Sequence, residues 1–272
     1  MKVLSVGQGV VGDATGYALE QRGHEVTYHD PPKGLEASPN GCDCVLICVP
    51  TPRGALGYNS RAQVYKTGDL LQQQGYTGLV GIRSTVIPGT CDDMQTEFPA
   101  MTWFAWPEFL RASLAREMAA NPPYKVVGYP DNADGSRCAA CASIAWLTMG
   151  SEGPDGKTLT TTPTGAEFIK YATNAILAAT VGVANELADW ATALGLDYNA
   201  ILPPICNIDP TLPSNVHVTA EGGFGGACLP KDLAALLFHS ARDQQIELPI
   251  LALVERENNR RRDSEGVAHS CE

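Results

Sequence analysis

The sequence predicts an α/β fold in two parts. A sheet-and-helix domain spans residues 1–160, a long central helix with a small all-helical domain spans 161–262, and a polar tail follows at 263–272. Three observations carry this. Short, β-branched apolar runs alternate with helical patterns through the first half, as in a parallel sheet with crossover helices. From Pro163 to Gly195 the helical texture runs without a break. The chain has 272 residues, 44% hydrophobic and 18% charged, enough to fill two cores.

KVLSV (2–6) reads as a buried strand, GQGVVG (7–12) as a glycine turn, and the next stretch to residue 22 as a helix. EVTYH (25–29) reads as a second strand ending at Asp30. Strand, G-x-G-x-x-G, helix, strand and acid at about 20 residues' distance form the fingerprint of a Rossmann-like dinucleotide-binding unit. Gly7 makes the turn, Gly9 admits a pyrophosphate, and Gly12 lets helix and strand pack closely. Val10 and Val11 open the helix, whose free amides face the phosphates. Asp30 suits both ribose hydroxyls and repels a 2'-phosphate, so the expected cofactor is NAD.

Residues 31–41 are rich in Pro and Gly and read as a loop. DCVLICVP (43–50) is a strand, residues 60–75 are helical, GLVGIRS (78–84) is a strand, and TVIPGT turns out of it. In open parallel sheets ligands bind beyond the C-terminal strand ends. Asp30, Thr51 and Thr85 fall there, which makes Val49, Pro50, Thr51, Ser84 and Thr85 cofactor-side candidates. MTWFAWPEFLR (101–111) carries Glu108 just after a proline, where a carboxylate also suits a helix start. YKVVGYP (124–130) is a strand, the run to residue 150 is mostly helix, and the polar stretch 151–162 reads as the boundary.

In the long helix, Lys170 and Asn174 share one face, polar groups in an otherwise apolar seam. Residues 198–220 read as loop. GGFGGACLPKD (222–232) is a glycine-dense turn that presents Cys228 just before a helix through residue 245. A cysteine at a helix N-terminus is a candidate nucleophile. LPILALVERENNRR begins a last helix.

A formal net charge of −11 with no basic stripe argues against nucleic-acid binding. No apolar run reaches membrane-spanning length. The start at MKVLSVGQG leads directly into a strand, and the nine cysteines then read as reduced thiols of a cytoplasmic protein. Cys138 and Cys141 form a CxxC, read as a helix face because no second pair follows; no metal is expected.

The motifs together resemble the UDP-glucose/GDP-mannose dehydrogenase family. They are VGQGVVG (6–12), CVPTP (48–52), STVIPGT (84–90), PEFLR (107–111), AEFIKYATNA (166–175), NELAD (185–189) and GGFGGACLPKD (222–232). The resemblance implies oxidation of a UDP- or GDP-sugar's C6 alcohol to a uronic acid, with reduction of two NAD and an intermediate held on cysteine, as in polysaccharide biosynthesis. It implies Cys228 as nucleophile, Lys170 and Asn174 beside the oxyanion, and Asp232 placing water or holding the lysine. Glu108 is implied in base and thioester-hydrolysis steps and Thr85 near the reacting hydroxyl. Phe109, Leu110, Phe224 and Gly225 are implied at the substrate and Lys231 at the cofactor. It also implies a homodimer through the long helix. The alternatives are a related dehydrogenase making one hydride transfer and a non-catalytic NAD-binding protein.

The sequence departs from the family in several places, among them KVVG (125–128) where relatives often have RVVG. It stops soon after VERENNRR, where relatives continue into a third, nucleotide-binding domain, so a short form, with a separate protein in that role, is one expectation. The span from Asp30 to CVPTP is short. Ala112 replaces an acid associated with the cofactor site, and the loop 208–220 lacks a typical arginine.

Overall fold

The computed structural model describes residues 1–54, 57–122, 124–130, 140, 143–144, 147–148, 158–201, 223–226 and 228–264. They divide into two compact units, residues 1–51 with 60–170, and residues 52–59 with 171–272. The loop 208–220, Cys138, Cys141 and the terminal residues 265–272 lie outside the described residues.

The first unit is built on β1 (Lys2–Val6), β2 (Glu25–Asp30), β3 (Leu35–Glu36), β4 (Cys44–Ile47), β5 (Leu79–Ile82), β6 (Thr102–Ala105), β7 (Lys125–Gly128) and β8 (Thr158–Thr161). These form one sheet in the order β3-β2-β1-β4-β5-β6-β7-β8. Pairing from β2 through β6 is parallel, and the β2–β3 and β6–β7 pairs are antiparallel. The order reverses between β1 and β4, the topological switch point of a doubly wound sheet. The helices are α1 (Val10–Glu20), α2 (Ala62–Gln73), α3 (Thr90–Glu97) and α4 (Ala115–Ala120).

Strands β4 and β5 are buried along their whole length, as expected of central parallel strands covered on both faces. One face carries Leu4, Val45, Ile47, Val80, Ile82 and Trp103. The opposite face carries Val3, Leu19, Leu46, Phe104 and Trp106. The loop expected over 31–41 holds a single 3₁₀ turn, Pro31–Lys33, and the two-residue strand β3. Among the described residues, this short hairpin is all that extends the sheet beyond β2.

Two expectations are corrected. The stretch 151–162 contains β8, which pairs in parallel with β7 from Lys125↔Thr158 to Gly128↔Thr161. Its TLTT sequence is half-exposed and polar, so it carries no apolar run to betray a strand. Residues 198–201, expected in a loop, are helical, with Tyr198 buried against Ala184 and Ala191.

Helix α5 (Pro163–Ala193) runs 31 residues and contributes to both units. The second unit adds α6 (Leu229–Asp243) and α7 (Pro249–Ser264). Its core joins Ala178 and Val181 of α5 with Phe224, Leu233 and, partly buried, Leu251 and Val254. Among the described residues no helix is long and apolar enough to cross a membrane.

Candidate active site

Five parallel strands end along one edge of the sheet, and each delivers a residue singled out in the sequence. After β1 the chain turns at Gly7, whose φ is +92°, and a Cβ there would lie 2.5 Å from the Cys48 carbonyl oxygen. A Cβ on Gly12 would lie 2.1 Å from the Gly7 carbonyl oxygen, so only glycine permits this turn–helix approach. Above Gly9 there is open space, and as the N-cap of α1 it leaves the helix without a side-chain cap. The helix therefore offers unpaired N–H groups at an open position. Val10 there is 54% exposed.

At the end of β2, Asp30 Oδ2 accepts the Gln8 amide at 2.9 Å, and Lys33 Nζ stands 3.8 Å from the same oxygen. Lys33 also donates to the Gln8 carbonyl. The acid is thus tied to the glycine loop. Asp13, in the first turn of α1, would disfavour an anion there, but Arg116 grips it with two bonds of 2.8 Å. That guanidinium holds the Asp13 carboxyl below the usual carboxylate range. These residues fit a dinucleotide: free helix amides for phosphate and a strand-end carboxylate for ribose.

Beyond β4 and β5 two loops are stitched together. Thr51 Oγ1 donates to the Thr85 carbonyl at 2.8 Å, and Ser84 Oγ donates to the Val49 carbonyl at 2.7 Å. Pro50 is exposed between them. Beyond β6, Glu108 is 8% exposed. Its Oε2 accepts the Leu110 amide at 2.6 Å and its Oε1 lies 3.3 Å from Lys170 Nζ, itself 5% exposed. Lys170 also sits 5.3 Å over the Phe109 ring. A buried ion pair, with a further hydrogen bond on Glu108 and a ring beneath Lys170, is a costly arrangement that active sites retain.

In the second unit, Asp232 is 1% exposed and accepts two short bonds, from Asn174 Nδ2 and Lys231 Nζ, both at 2.6 Å. Cys228 is the N-cap of α6, exposed, with its carbonyl accepting the Asp232 amide at 2.8 Å. Cys42, Cys44, Cys48 and Cys91 are buried or half-buried, so Cys228 is the accessible thiol among the described residues. Burial pushes the Cys48 and Cys91 thiols up, which keeps them protonated. Gly225 is exposed, while the Phe224 side chain enters the core. The described part of the turn therefore presents Gly225, Gly226 and Cys228 outward.

Three contributors escaped the sequence reading. Asn258 of α7 clasps the turn, accepting the Phe224 amide at 2.7 Å and donating to its carbonyl at 3.1 Å. Glu167, one turn before Lys170, accepts the Gly89 and Cys91 amides at 2.7 and 2.8 Å. Arg83 lies buried after β5 and stacks 4.2 Å over Trp106. The only local signal was a polar residue in an apolar neighbourhood. Among the described residues no three His, Cys, Asp or Glu side chains cluster as metal ligands would.

Known proteins resemble this chain along most of its length. The profile described as "UDP-glucose/GDP-mannose dehydrogenase family, central domain" matches residues 164–260, nearly the span from α5 through α7. GDP-mannose 6-dehydrogenase of Azotobacter vinelandii is 28% identical, the match covering 95% of this chain and 68% of that one. UDP-glucose 6-dehydrogenase of Rickettsia typhi is 30% identical, covering 80% of this chain and 50% of that one. A UDP-glucose dehydrogenase structure from Pyrobaculum islandicum superposes with a TM-score of 0.78 at 25% identity, covering 95% of this chain and 68% of that chain. A GDP-mannose dehydrogenase structure from Pseudomonas aeruginosa gives 0.66 at 25% identity, with 97% and 69% covered. The chain thus spans from half to about two thirds of the length of these relatives. This chain thus carries the central domain of the UDP-glucose/GDP-mannose dehydrogenase family at residues 164–260 and is similar to members of that family along most of its length.

Proposed function

We propose that the chain is an NAD-dependent nucleotide-sugar 6-dehydrogenase that takes the C6 alcohol of a UDP- or GDP-sugar to the carboxylate. The observation that carries this reading is an accessible cysteine at the N-cap of α6, four residues before a buried Asp232 bonded to Asn174. A simple alcohol dehydrogenase has no use for that thiol. A four-electron oxidation does, because the intermediate aldehyde must be held between two hydride transfers.

NAD, held by Gly7, Gly9, Gly12 and Asp30, supplies the hydride acceptor in each oxidation. The chain's own residues handle the charge and the protons. Glu108 takes the proton of the reacting hydroxyl, and Thr85 orients that hydroxyl. Cys228 Sγ then bonds the aldehyde carbon, and the oxyanion that forms meets donors from Lys170 and Asn174. Fixed donors of this kind are worth several kcal/mol of barrier. After the second oxidation the carbon is a thioester. Water adds to it, the C–S bond breaks, and Cys228 leaves as thiolate. Asp232 keeps Asn174 and Lys231 oriented throughout. Phe109, Leu110 and Gly225 border the sugar.

Assembly as a homodimer through α5 fits the same reading. Ile176, Val183 and Trp190 recur every seven residues and are 67%, 57% and 65% exposed; Leu187 and Leu194 continue the stripe. Such a seam suits a second helix. The cytoplasm is the expected compartment.

The test is NADH formation at 340 nm with GDP-mannose or UDP-glucose, run to completion. Two NADH per sugar support the reading. One NADH per sugar would replace it with a single hydride transfer. The Cys228→Ser variant should bind NAD as wild type and form no acid; undiminished acid formation would refute the nucleophile.

A further inference from the structure

Glu108 has a second side. Besides Lys170, it borders a cavity of about 40 Å³ beneath α1 and α4, within the first unit. Thr15, Arg22, Arg83, Trp106 and Lys125 are among its walls, and the half-exposed Tyr124 stands at its rim. A void of that size holds about three waters. Its walls are mixed, with Thr15, Arg22, Arg83, Glu108 and Lys125 set among apolar side chains, and these polar groups are the partners a water there would use. Arg83 is 5% exposed, its Nη1 donates to the Trp106 carbonyl at 3.1 Å, and its Nε–H is buried without a partner. A buried guanidinium N–H left bare is unfavourable, and a water in the cavity can accept from it.

We propose that this cavity is a water and proton passage serving Glu108 from behind, with Arg83 as the positioning residue that anchors its water chain. The inference rests on Glu108 being the base of the proposed reaction. The chemistry demands such a route. Converting R–CH2OH and one H2O to R–COO⁻ removes two hydrides, which go to two NAD, and releases three protons. In the last step the water oxygen bonds the acyl carbon and the C–S bond to Cys228 breaks. One water proton goes to Glu108, and the acid product ionises. A base that is 8% exposed must pass each proton on before it can act again. A nucleotide sugar and a dinucleotide on the strand-end side leave it no open water there. The cavity runs to Glu108 from the α1–α4 side; at its inner end it meets Phe109 and Leu110, which border the sugar in the proposed reaction, and toward α4 it is lined by Met118, Ala119 and Pro122.

Ala119 of α4 lines the cavity from a surface helix, so Ala119→Phe plugs it with little disturbance to the core. With GDP-mannose or UDP-glucose, this variant should bind NAD within twofold of wild type. Its kcat should fall at least tenfold, its solvent isotope effect should rise, and mass spectrometry should find acyl adduct accumulating on Cys228. Arg83→Met should show the same signature more weakly, and Arg83→Lys should restore part of it. Wild-type turnover and isotope effect in Ala119→Phe would overturn the passage. If Glu108→Gln turns over normally, the base reading falls and the passage with it; if Glu108→Gln is inactive while Ala119→Phe is normal, only the passage falls. A crystal structure of the free protein supplies a readout independent of substrate. Ordered waters, one on Arg83 Nε, are expected, and a dry cavity would refute the inference.

Discussion

Replacing Glu167 by glutamine tests how α5 is fastened to the sheet domain. Glu167 is 3% exposed, and its two oxygens each accept a backbone N–H at the start of α3, from Gly89 and Cys91. Glutamine keeps the volume but replaces an oxygen that can accept an amide N–H, even as the hydroxyl of the protonated carboxyl, by an NH2 that cannot. One buried donor is then unsatisfied, at a cost of about 1–3 kcal/mol. For a chain of this size that is a fall of about 2–4 °C in melting temperature for each kcal/mol. Burial, outweighing the two amide bonds, pushes the Glu167 carboxyl up to about 8. The folded protein therefore holds a proton there that the unfolded chain releases near its ordinary value of 4.5. Stability from this group is full below pH 4.5 and is lost as pH rises through 8. The slope is at most about 1.4 kcal/mol per pH unit. Urea unfolding followed by circular dichroism at several pH values measures both effects. Glu167→Gln should be less stable than wild type at pH 5 and should lack this component of the decline. Equal stability at pH 5, or an unchanged pH slope, would refute the reasoning.

Asp30→Ala should weaken NAD binding and narrow the preference over NADP; titration by intrinsic fluorescence that finds an unchanged preference would remove Asp30 from the ribose. Asn258→Ala takes away both bonds to Phe224 and should destabilise the second unit by about 1–3 kcal/mol, read by hydrogen exchange at residues 223–226. Ile176→Asp in the exposed stripe of α5 should convert a dimer to monomer in analytical ultracentrifugation while leaving the melting temperature of the monomer within a few degrees. A dimer that persists would place the contact elsewhere.

Periodicity and glycine chemistry made much of this molecule readable from sequence. The loop 7–12, the acid at the end of β2 and α5 stand where local pattern put them. What local pattern missed is equally specific. Strand β6 lies in an aromatic run with no polar alternation, and β8 is polar. Helix α3 buries only Thr90, Cys91 and Met94 and follows a Pro-Gly turn, so its sequence reads as turn. At the site, residue types were legible and partnerships were not. Glu167 reaches 76 and 78 residues back along the chain, and Asn258 reaches 34. No periodic signal spans such distances. Arg83 shows the same limit, since only the fold reveals that it is buried beside a cavity.

The short hairpin outside β2 has a kinetic consequence. A full mononucleotide half would place another strand and helix beside the adenine end of a dinucleotide; here a 3₁₀ turn and a two-residue strand stand in that place. With one wall fewer, less apolar surface is covered when the adenine docks, and retention depends more on phosphate and ribose contacts. Residence time shortens accordingly. In the reaction proposed above, two dinucleotides would be used in succession while the sugar stays tethered to Cys228, so spent cofactor would leave and fresh cofactor enter in mid-cycle. The truncated edge thus trades tightness for traffic, and it makes dinucleotide exchange the step least expected to limit turnover.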